Sequence, residues 1–450
     1  MSSVVIDRSR LHALQQREEA AFLAAHPKSA VLYERAQKSL LGGVPMHWMK
    51  KWAGKFPVFV REAHGAHFTC VDGLHHIDFC LGDTGAMTGH APEATVAALA
   101  RQAARGITTM LPTEDAIAVG EQLHQRFGLP LWQIAMTATD ANRFVVRLAR
   151  HATGRSKILV FNWCYHGTVD ETLGILDGGE VVSRPGDIGP PIDPAVTTTI
   201  VEFNDLDALE AALAPGDVAC VLAEPALTNI GIVLPDPGFH EALREITRRT
   251  GTLLVIDETH TICVGPGGAT RAWNLDPDFF VIGKPIAGGM PAAAFGMTAE
   301  LATRLASALG ADETDVSGIG GTLSGNALAL AAIRATLDST LLAGDYARMV
   351  PLAARWAGGV RDSYTRADLP WSVNQLGARA EYWFSPPPRN GAQAAAAVDE
   401  ELDGFMHLWA LNRGVLLTPF HNMALMSPMT TEADVDAHTE VFDAAVTALV

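Results

Sequence analysis

The eight residues LLVIDETH, 253 to 260, decide the fold. Four apolar residues in succession, Val and Ile among them, read as a strand buried on both faces, which is the pattern of a parallel sheet covered on each side by helices. Asp257 and Glu258 then follow at once. Carboxylates at the carboxyl end of such a strand stand where ligands collect in open α/β sheets. One chemistry that puts them there is nucleotide and metal handling, but it requires a loop of the form G-x-x-x-x-G-K-[ST]. The two Gly-Lys pairs, Gly54-Lys55 and Gly283-Lys284, are followed by Phe and Pro and lack the earlier glycine, so a P-loop nucleotide-binding protein is disfavoured. The other chemistry is a carboxylate that keeps a heterocyclic cofactor protonated.

With 450 residues, 48% of them hydrophobic, the chain can bury a large core in more than one lobe. Its net charge of −17 argues against nucleic acid and anionic membrane surfaces, which call for clustered Lys and Arg. The five cysteines form no C-x-x-C pair and are odd in number, so neither a disulfide framework nor a zinc ribbon is expected. The N-terminal stretch MSSVVIDRSRLHALQQREEAAFLAAHP shows no signal peptide, and no run reaches the length of a membrane span, so a reducing cytoplasm is the expected location. The histidine pairs His64/His67 and His75/His76 lie in a segment that alternates like a surface strand without carboxylates at ligand spacing, and no metal is expected.

Residues 8 to 41 are helical by pattern and end at Gly42-Gly43-Val44-Pro45. Short strands occupy 56 to 80 around the turn Val71-Asp72-Gly73. From about 90 to 335, the apolar runs KILVF (157 to 161), ACVLAEP (219 to 225), LLVID (253 to 257) and FFVIG (279 to 283) alternate with helical stretches such as FHEALREITRR (239 to 249). This alternation predicts an α/β fold with a large, mostly parallel sheet. Long helices, the break SPPPRN (385 to 390) and a last helix from about Glu432 complete a smaller α+β lobe drawn from both termini. The expected domains are 1 to 80 as N-terminal segment and part of the small lobe, 81 to 335 as the large domain, and 336 to 450 as the C-terminal small domain.

Lys284 follows the strand FFVIG directly and precedes Gly288 and Gly289. A lysine on this rim can be desolvated and made nucleophilic enough to form a Schiff base, whereas taken alone it reads more readily as an exposed turn lysine. The segment MTATDANRFVVRLAR (136 to 150) reads as a strand end, a turn of small residues and a helix with one apolar face. The amides of Ala138 and Thr139, with the Thr139 hydroxyl, would meet a phosphate at that helix N-terminus. Phosphate, lysine and buried carboxylate together describe pyridoxal 5'-phosphate (PLP), with Asp257 paired to the pyridine nitrogen so that the ring acts as an electron sink.

At this point the sequence resembles the class III aminotransferases of PLP fold type I, closest to the glutamate-1-semialdehyde aminomutase-like branch. The resemblance runs from GAHFTCVDGLHHIDF (65 to 79) through GHAP (89 to 92), CYHG (164 to 167), AEPALTNIG (223 to 231), VIDETHT (255 to 261) and GKPIAGGMP (283 to 291) to GGTLSGNALALAA (320 to 332). It implies that Lys284 and Asp257 are the catalytic pair. Ala138, Thr139, Tyr165 on the ring face, Glu224, Asn229 near the ring hydroxyl and Thr259 would hold the cofactor. Thr322 would reach the phosphate bound by the neighbouring subunit, which implies a homodimer with shared active sites. From the residues alone, Tyr165 could be plain core, and Thr322 could cap the helix beginning in SGNALALAA.

The chain departs from the family pattern in places. The phosphate turn is Thr137-Ala138-Thr139-Asp140-Ala141 instead of S-G-[TS]-E-A, and Trp163 replaces the usual small residue before CYHG. The loop LGGVPMHWMKKW (41 to 52) presents His47 and Trp48 where the aminomutase branch carries a Ser and an Arg suited to a carboxylate, and LLTPFHNMALMSP (416 to 428) offers Phe420 without an Arg. With His47, Trp48, Trp163 and Phe420 as substrate contacts, the expected activity is transfer of an amino group from a hydrophobic or aromatic amine or amino acid to a keto acid or aldehyde. The alternative is an aminomutase or racemase on the same fold.

Overall fold

The run 253 to 257 is a strand buried at every position, paired in parallel on both sides. In the computed structural model, which describes residues 6–190, 192–309 and 318–450, it lies at the centre of a seven-stranded sheet. The strands are β1 (Leu131–Ala135), β2 (Lys157–Phe161), β3 (Thr198–Val201), β4 (Val218–Ala223), β5 (Leu253–Asp257), β6 (Phe279–Ile282) and β7 (Ala293–Met297), in spatial order β1-β7-β6-β5-β4-β2-β3. Six run the same way, and β7 is antiparallel to both β6 and β1. The sequence does not announce β7, because AAFGM is poor in β-branched residues. Its Gly296 is set by packing: a Cβ there would lie 2.8 Å from the Trp132 ring of β1.

This sheet belongs to a compact unit formed by Glu93–Ala343 with Pro388–Ala396. Its bounds differ from the 81 to 335 expected, starting later, ending later and adding a second segment. Leu81–Pro92 stays with the other unit, where Gly65 and His90 exchange backbone bonds of 3.0 and 2.7 Å. Residues 388 to 396 return to the larger unit, where Gly391 lies so close to the Asn162 carbonyl that a Cβ would sit 2.2 Å from it. Helix α1 (Ala138–Thr153) follows β1. The Thr137 side chain caps it by accepting from the Asp140 amide, and Gly154 closes it in the left-handed conformation.

The second unit comprises Met1–Pro92, Gly344–Pro387 and Ala397–Val450, of which Met1–Val5 lie outside the described residues. The helix expected over 8 to 41 is two helices, Arg8–Ala25 and Pro27–Ala36. Proline at the first turn of the second starts a new helix, since it cannot donate within the first. Strands Val60–His64, His67–Cys70, His75–Asp78 and Val415–Leu416 make one sheet. Ser372–Leu376, Arg379–Trp383 and Met423–Leu425 make another, and the last helix is Glu432–Leu449. Among the described residues no single helix is long and apolar enough to cross a membrane.

Candidate active site

The carboxyl ends of five co-directional strands of the larger unit fall along one edge of the sheet, where ligands bind in open α/β folds. Ala138 and Thr139 follow β1, Trp163 and Tyr165 follow β2, Glu224 and Asn229 follow β4, Asp257 and Thr259 end β5, and Lys284 follows β6. Nine of the sequence-named residues of this unit thus follow or end strands along one rim, and Thr322 is not among them.

Asp257 is 4% exposed, and three groups hold its carboxylate. Asn142 Nδ2 and His166 Nδ1 each donate to Oδ2 at 2.9 Å, and the Thr259 amide donates to Oδ1 at 3.1 Å. Burial works against the charge, but the hydrogen bond and positive charge of His166, with Thr259 and Asn142, outweigh it and bring the carboxyl down to about 2. Reciprocally, burial opposes the charge on His166, and Cys164 and Asp257 lift it well above the ordinary histidine value. The pair is a fixed anion backed by a buried cation, aimed from β5 toward the rim.

The neighbouring Glu258 answers to a different need. Its buried carboxylate accepts from Thr261 Oγ1 at 2.6 Å, from the Ala269 amide at 3.1 Å and from the Thr270 amide, satisfying the start of the short helix Gly268–Ala272. Gly268, at φ +70°, would carry a Cβ 2.5 Å from that carboxylate. Burial pushes the Glu258 carboxyl up, against the hydrogen bonds from Thr261, Thr270 and Ala269, whereas that of Asp257 is brought down. Glu224 likewise turns inward and is 3% exposed, accepting from the Thr228 hydroxyl.

Lys284 opens a tight turn, Lys284–Ala287, with φ +50°, a backbone state that side-chain-bearing residues adopt at a cost. Gly283 before it is tied to the phosphate turn, because a Cβ on Gly283 would lie 3.0 Å from that of Ala138 and 3.3 Å from its amide nitrogen. The lysine amine, half-buried, lies 2.7 Å from Nε2 of His260. Across the cradle, Gly167 presses on Thr139: a Cβ there would meet Oγ1 at 2.1 Å, and the Thr168 amide donates to that same oxygen at 3.1 Å. Trp163 also sits at positive φ, +62°, which accounts for the small residue usual there. The Arg184 guanidinium lies 5.0 Å from its ring centroid, and its carbonyl accepts from Asn229 at 3.0 Å.

Three features fit PLP. The Thr137 cap engages only the Asp140 amide, leaving the Ala138 and Thr139 amides at the helix N-terminus for an anion. The two glycines keep side-chain atoms out of that cradle. The Thr259 hydroxyl is buried with no protein partner, directly beside the fixed Asp257 charge.

His47, Trp48 and Phe420 lie in the other unit. There the Trp48 ring meets Phe420 edge-on at 5.9 Å and His47 at 5.9 Å, and Lys51 Nζ stands 5.5 Å from the Phe420 centroid. Trp163 belongs to the larger unit. Thr322 lies exposed in a turn, and the helix Ala327–Ser339 is capped by Asn326, whose Oδ1 accepts from the Ala329 amide at 2.9 Å, so Thr322 is not its cap. Sequence reasoning assigned no role to Asn142, His166 or His260. His166 stood inside CYHG. Asn142 was signalled only as a polar residue on the face of α1 that also carries Val145 and Ala149, and it is fully buried there.

The class III aminotransferase family model matches residues 48–446. A glutamate-1-semialdehyde 2,1-aminomutase of Desulfitobacterium hafniense is 33% identical over 417 residues, covering 91% of this chain and 95% of that protein. A lysine-to-alanine variant of a glutamate-1-semialdehyde aminomutase from Pseudomonas aeruginosa PAO1, solved in complex with PMP, is 49% identical with a TM-score of 0.97, covering 99% of this chain and all of that one. An omega-transaminase from Sphaerobacter thermophilus is 26% identical with a TM-score of 0.83, covering 94% and 97%. With the lysine, the carboxylate and the anion cradle on one rim of a mostly parallel sheet, the chain belongs to the class III aminotransferases and is a PLP-dependent enzyme of fold type I.

Proposed function

We propose that the enzyme is an aminomutase of the glutamate-1-semialdehyde type, moving an amino group between neighbouring carbons of one substrate skeleton. The observation that carries this reading is the near-complete match to aminomutases, at 49% identity and a TM-score of 0.97, against 26% and 0.83 for the omega-transaminase. The missing loop arginine speaks against a carboxylated substrate, but Lys51 supports one, since it brings a cation to the Trp48–Phe420 patch and an ammonium can meet a carboxylate as a point charge.

PLP, when bound, supplies an electron sink that lets a C–H bond beside the amino nitrogen break. Lys284 would hold the cofactor, and its free amine would take a proton from substrate carbon and return it at another position as base and then acid. Asp257 keeps its negative charge against the ring nitrogen, and His166 and Asn142 hold that carboxylate in place. The Ala138 and Thr139 amides would bind the phosphate, Tyr165 would cover a ring face, Asn229 would meet the ring hydroxyl, and the Glu224 and Thr259 segments would shape the surroundings. Thr322 completes the phosphate site of a second subunit in a homodimer.

The second reading, a transaminase for hydrophobic or aromatic amines, is favoured by the aromatic Trp48–Phe420 contact. Incubating the purified holoenzyme with glutamate-1-semialdehyde alone separates the two. Conversion without any added amino acceptor is the expected result. If nothing is converted, while an aromatic amine turns over once a keto acid is supplied, the aminomutase reading fails and the transaminase reading takes its place.

A further inference from the structure

The contact between His260 and Lys284 has no part in the functions drawn so far. Their nitrogens, Nε2 and Nζ, stand 2.7 Å apart, each fixed from its own backbone. His260 follows β5 and leads the tight turn Thr261–Val264, while Lys284 follows β6 on its positive-φ turn, and β5 and β6 are in parallel register through Asp257 and Val281. A hydrogen bond between two such nitrogens needs one donor and one acceptor. Two cations at this distance would repel one another.

Charged groups on the neighbouring segments have partners of their own. On the segment of His260 itself, Asp257 is bound by His166 and Asn142, and Glu258 by Thr261, Ala269 and Thr270. From the segment after β2, His166 points its charge at Asp257. The helix Ala327–Ser339, which packs against the Lys284 turn, carries only Arg334 and Asp338, which lie 3.9 Å from one another, with Arg334 also 2.7 Å from Asp115.

We propose that His260 is a positioning residue that accepts the ammonium proton of Lys284: the Nζ–H bond breaks, an Nε2–H bond forms, and the electron pair stays on Nζ as the lone pair able to bond to carbon. The proton returns by the same path when Lys284 must act as an acid. This rests on Lys284 being the lysine that captures the cofactor.

The test uses protein stripped of PLP, to which PLP is returned while the visible absorbance band of the lysine-bound cofactor is followed as a function of pH. His260→Gln keeps an acceptor for the lysine but cannot take its proton. It should regain the band at least about tenfold more slowly near neutral pH, within the range of a lost general base, and its rate profile should lose the inflection belonging to an imidazole. His260→Ala should be equally slow and be accelerated by imidazole added to the buffer, which a purely structural side chain would not allow. A His260→Gln protein that regains the band at the unmodified rate with an unchanged profile overturns the proposal, and so does a folded His260→Ala protein indifferent to imidazole. Should the alanine variant not fold, the glutamine profile decides alone. Lys284→Ala is the control: a band in that variant overturns the lysine assignment itself, an outcome distinct from failure at His260.

Discussion

Asp257 stays ionised in a place where an unpaired carboxylate would be neutral, because a buried His166 supplies the opposite charge and two further donors complete its shell. The linkage follows from the two shifts. Asp257, held at about 2 and below its ordinary 3.8, stabilises the fold above the ordinary value and loses that contribution as pH falls through about 2. His166, raised above 6.5, contributes fully below 6.5 and loses its contribution as pH rises through its raised value. Asp257→Asn should therefore lower stability most between roughly pH 4 and 6.5, with a shrinking difference toward pH 2, as read by denaturant titration at several pH values. The same variant should lose roughly a hundredfold or more in turnover, since a neutral amide cannot hold the ring nitrogen protonated. Equal rates would mean that the carboxylate serves only His166. The lysine, this acid and the anion cradle were legible in sequence because each sits directly after a buried strand or at a helix start, where chain pattern and chemistry coincide. His166 and His260 were not. A histidine's task depends on which nitrogen meets which atom across 24 or 91 residues of chain, and no local pattern records that.

The same contrast holds for whole elements. Strands with continuous apolar runs, β2, β4, β5 and β6, stand where pattern predicts them, within a residue or two. β7 escaped because its glycine answers to the Trp132 ring, and the sheet of 372 to 383 escaped because it lies between long helices that dominate the composition. The strand Arg379–Trp383 is buried at every position despite carrying Arg379 and Glu381, which pair with one another at 3.2 Å, while His421 lies 3.1 Å from the glutamate. Close by in sequence to His407, Asp403 accepts from Asn422 at 2.7 Å, and Asn422 in turn meets His407 at 3.1 Å. Burial pushes the Asp403 carboxyl up to about 6, with Asp399 and Glu381 adding to it. An acid whose folded value is raised costs stability as pH climbs from about 4 to about 6 and imposes its full cost above that. Asp403→Asn should accordingly stabilise the protein at pH 8, by up to roughly 3 kcal/mol, and have little effect at pH 4. Thermal melts at the two pH values check this, and a variant destabilised equally at both would show that the carboxylate is needed as an acceptor more than it is penalised as a charge.

At the scale of the whole molecule, the proposed homodimer ties assembly to the cofactor. The larger unit leaves Ile107, Met110, Leu111 and Ile117 between 48% and 74% exposed along one short segment, and Leu323, next to Thr322, 52% exposed. These bare apolar side chains are ones that the proposed homodimer would cover. Thr322 is free of the capping duty that its place before a helix first implied, because Asn326 performs it. If Thr322 contacts phosphate bound by the partner subunit, a ligand held only by the assembled state must stabilise that state by mass action. Removing PLP should then lower the thermal midpoint and shift dimer toward monomer on dilution, measured by sedimentation or light scattering of both forms across a concentration series. Thr322→Val should weaken cofactor retention by roughly 1.5 to 3 kcal/mol, the worth of one hydrogen bond to a charged group. Asn326→Ala is the matched control: it should cost about 1 kcal/mol of stability as a lost cap and leave cofactor retention unchanged. An apo protein that dimerises as tightly as the holoenzyme, together with a valine variant that holds PLP normally, would break the link between assembly and cofactor and leave each subunit with a site complete in itself.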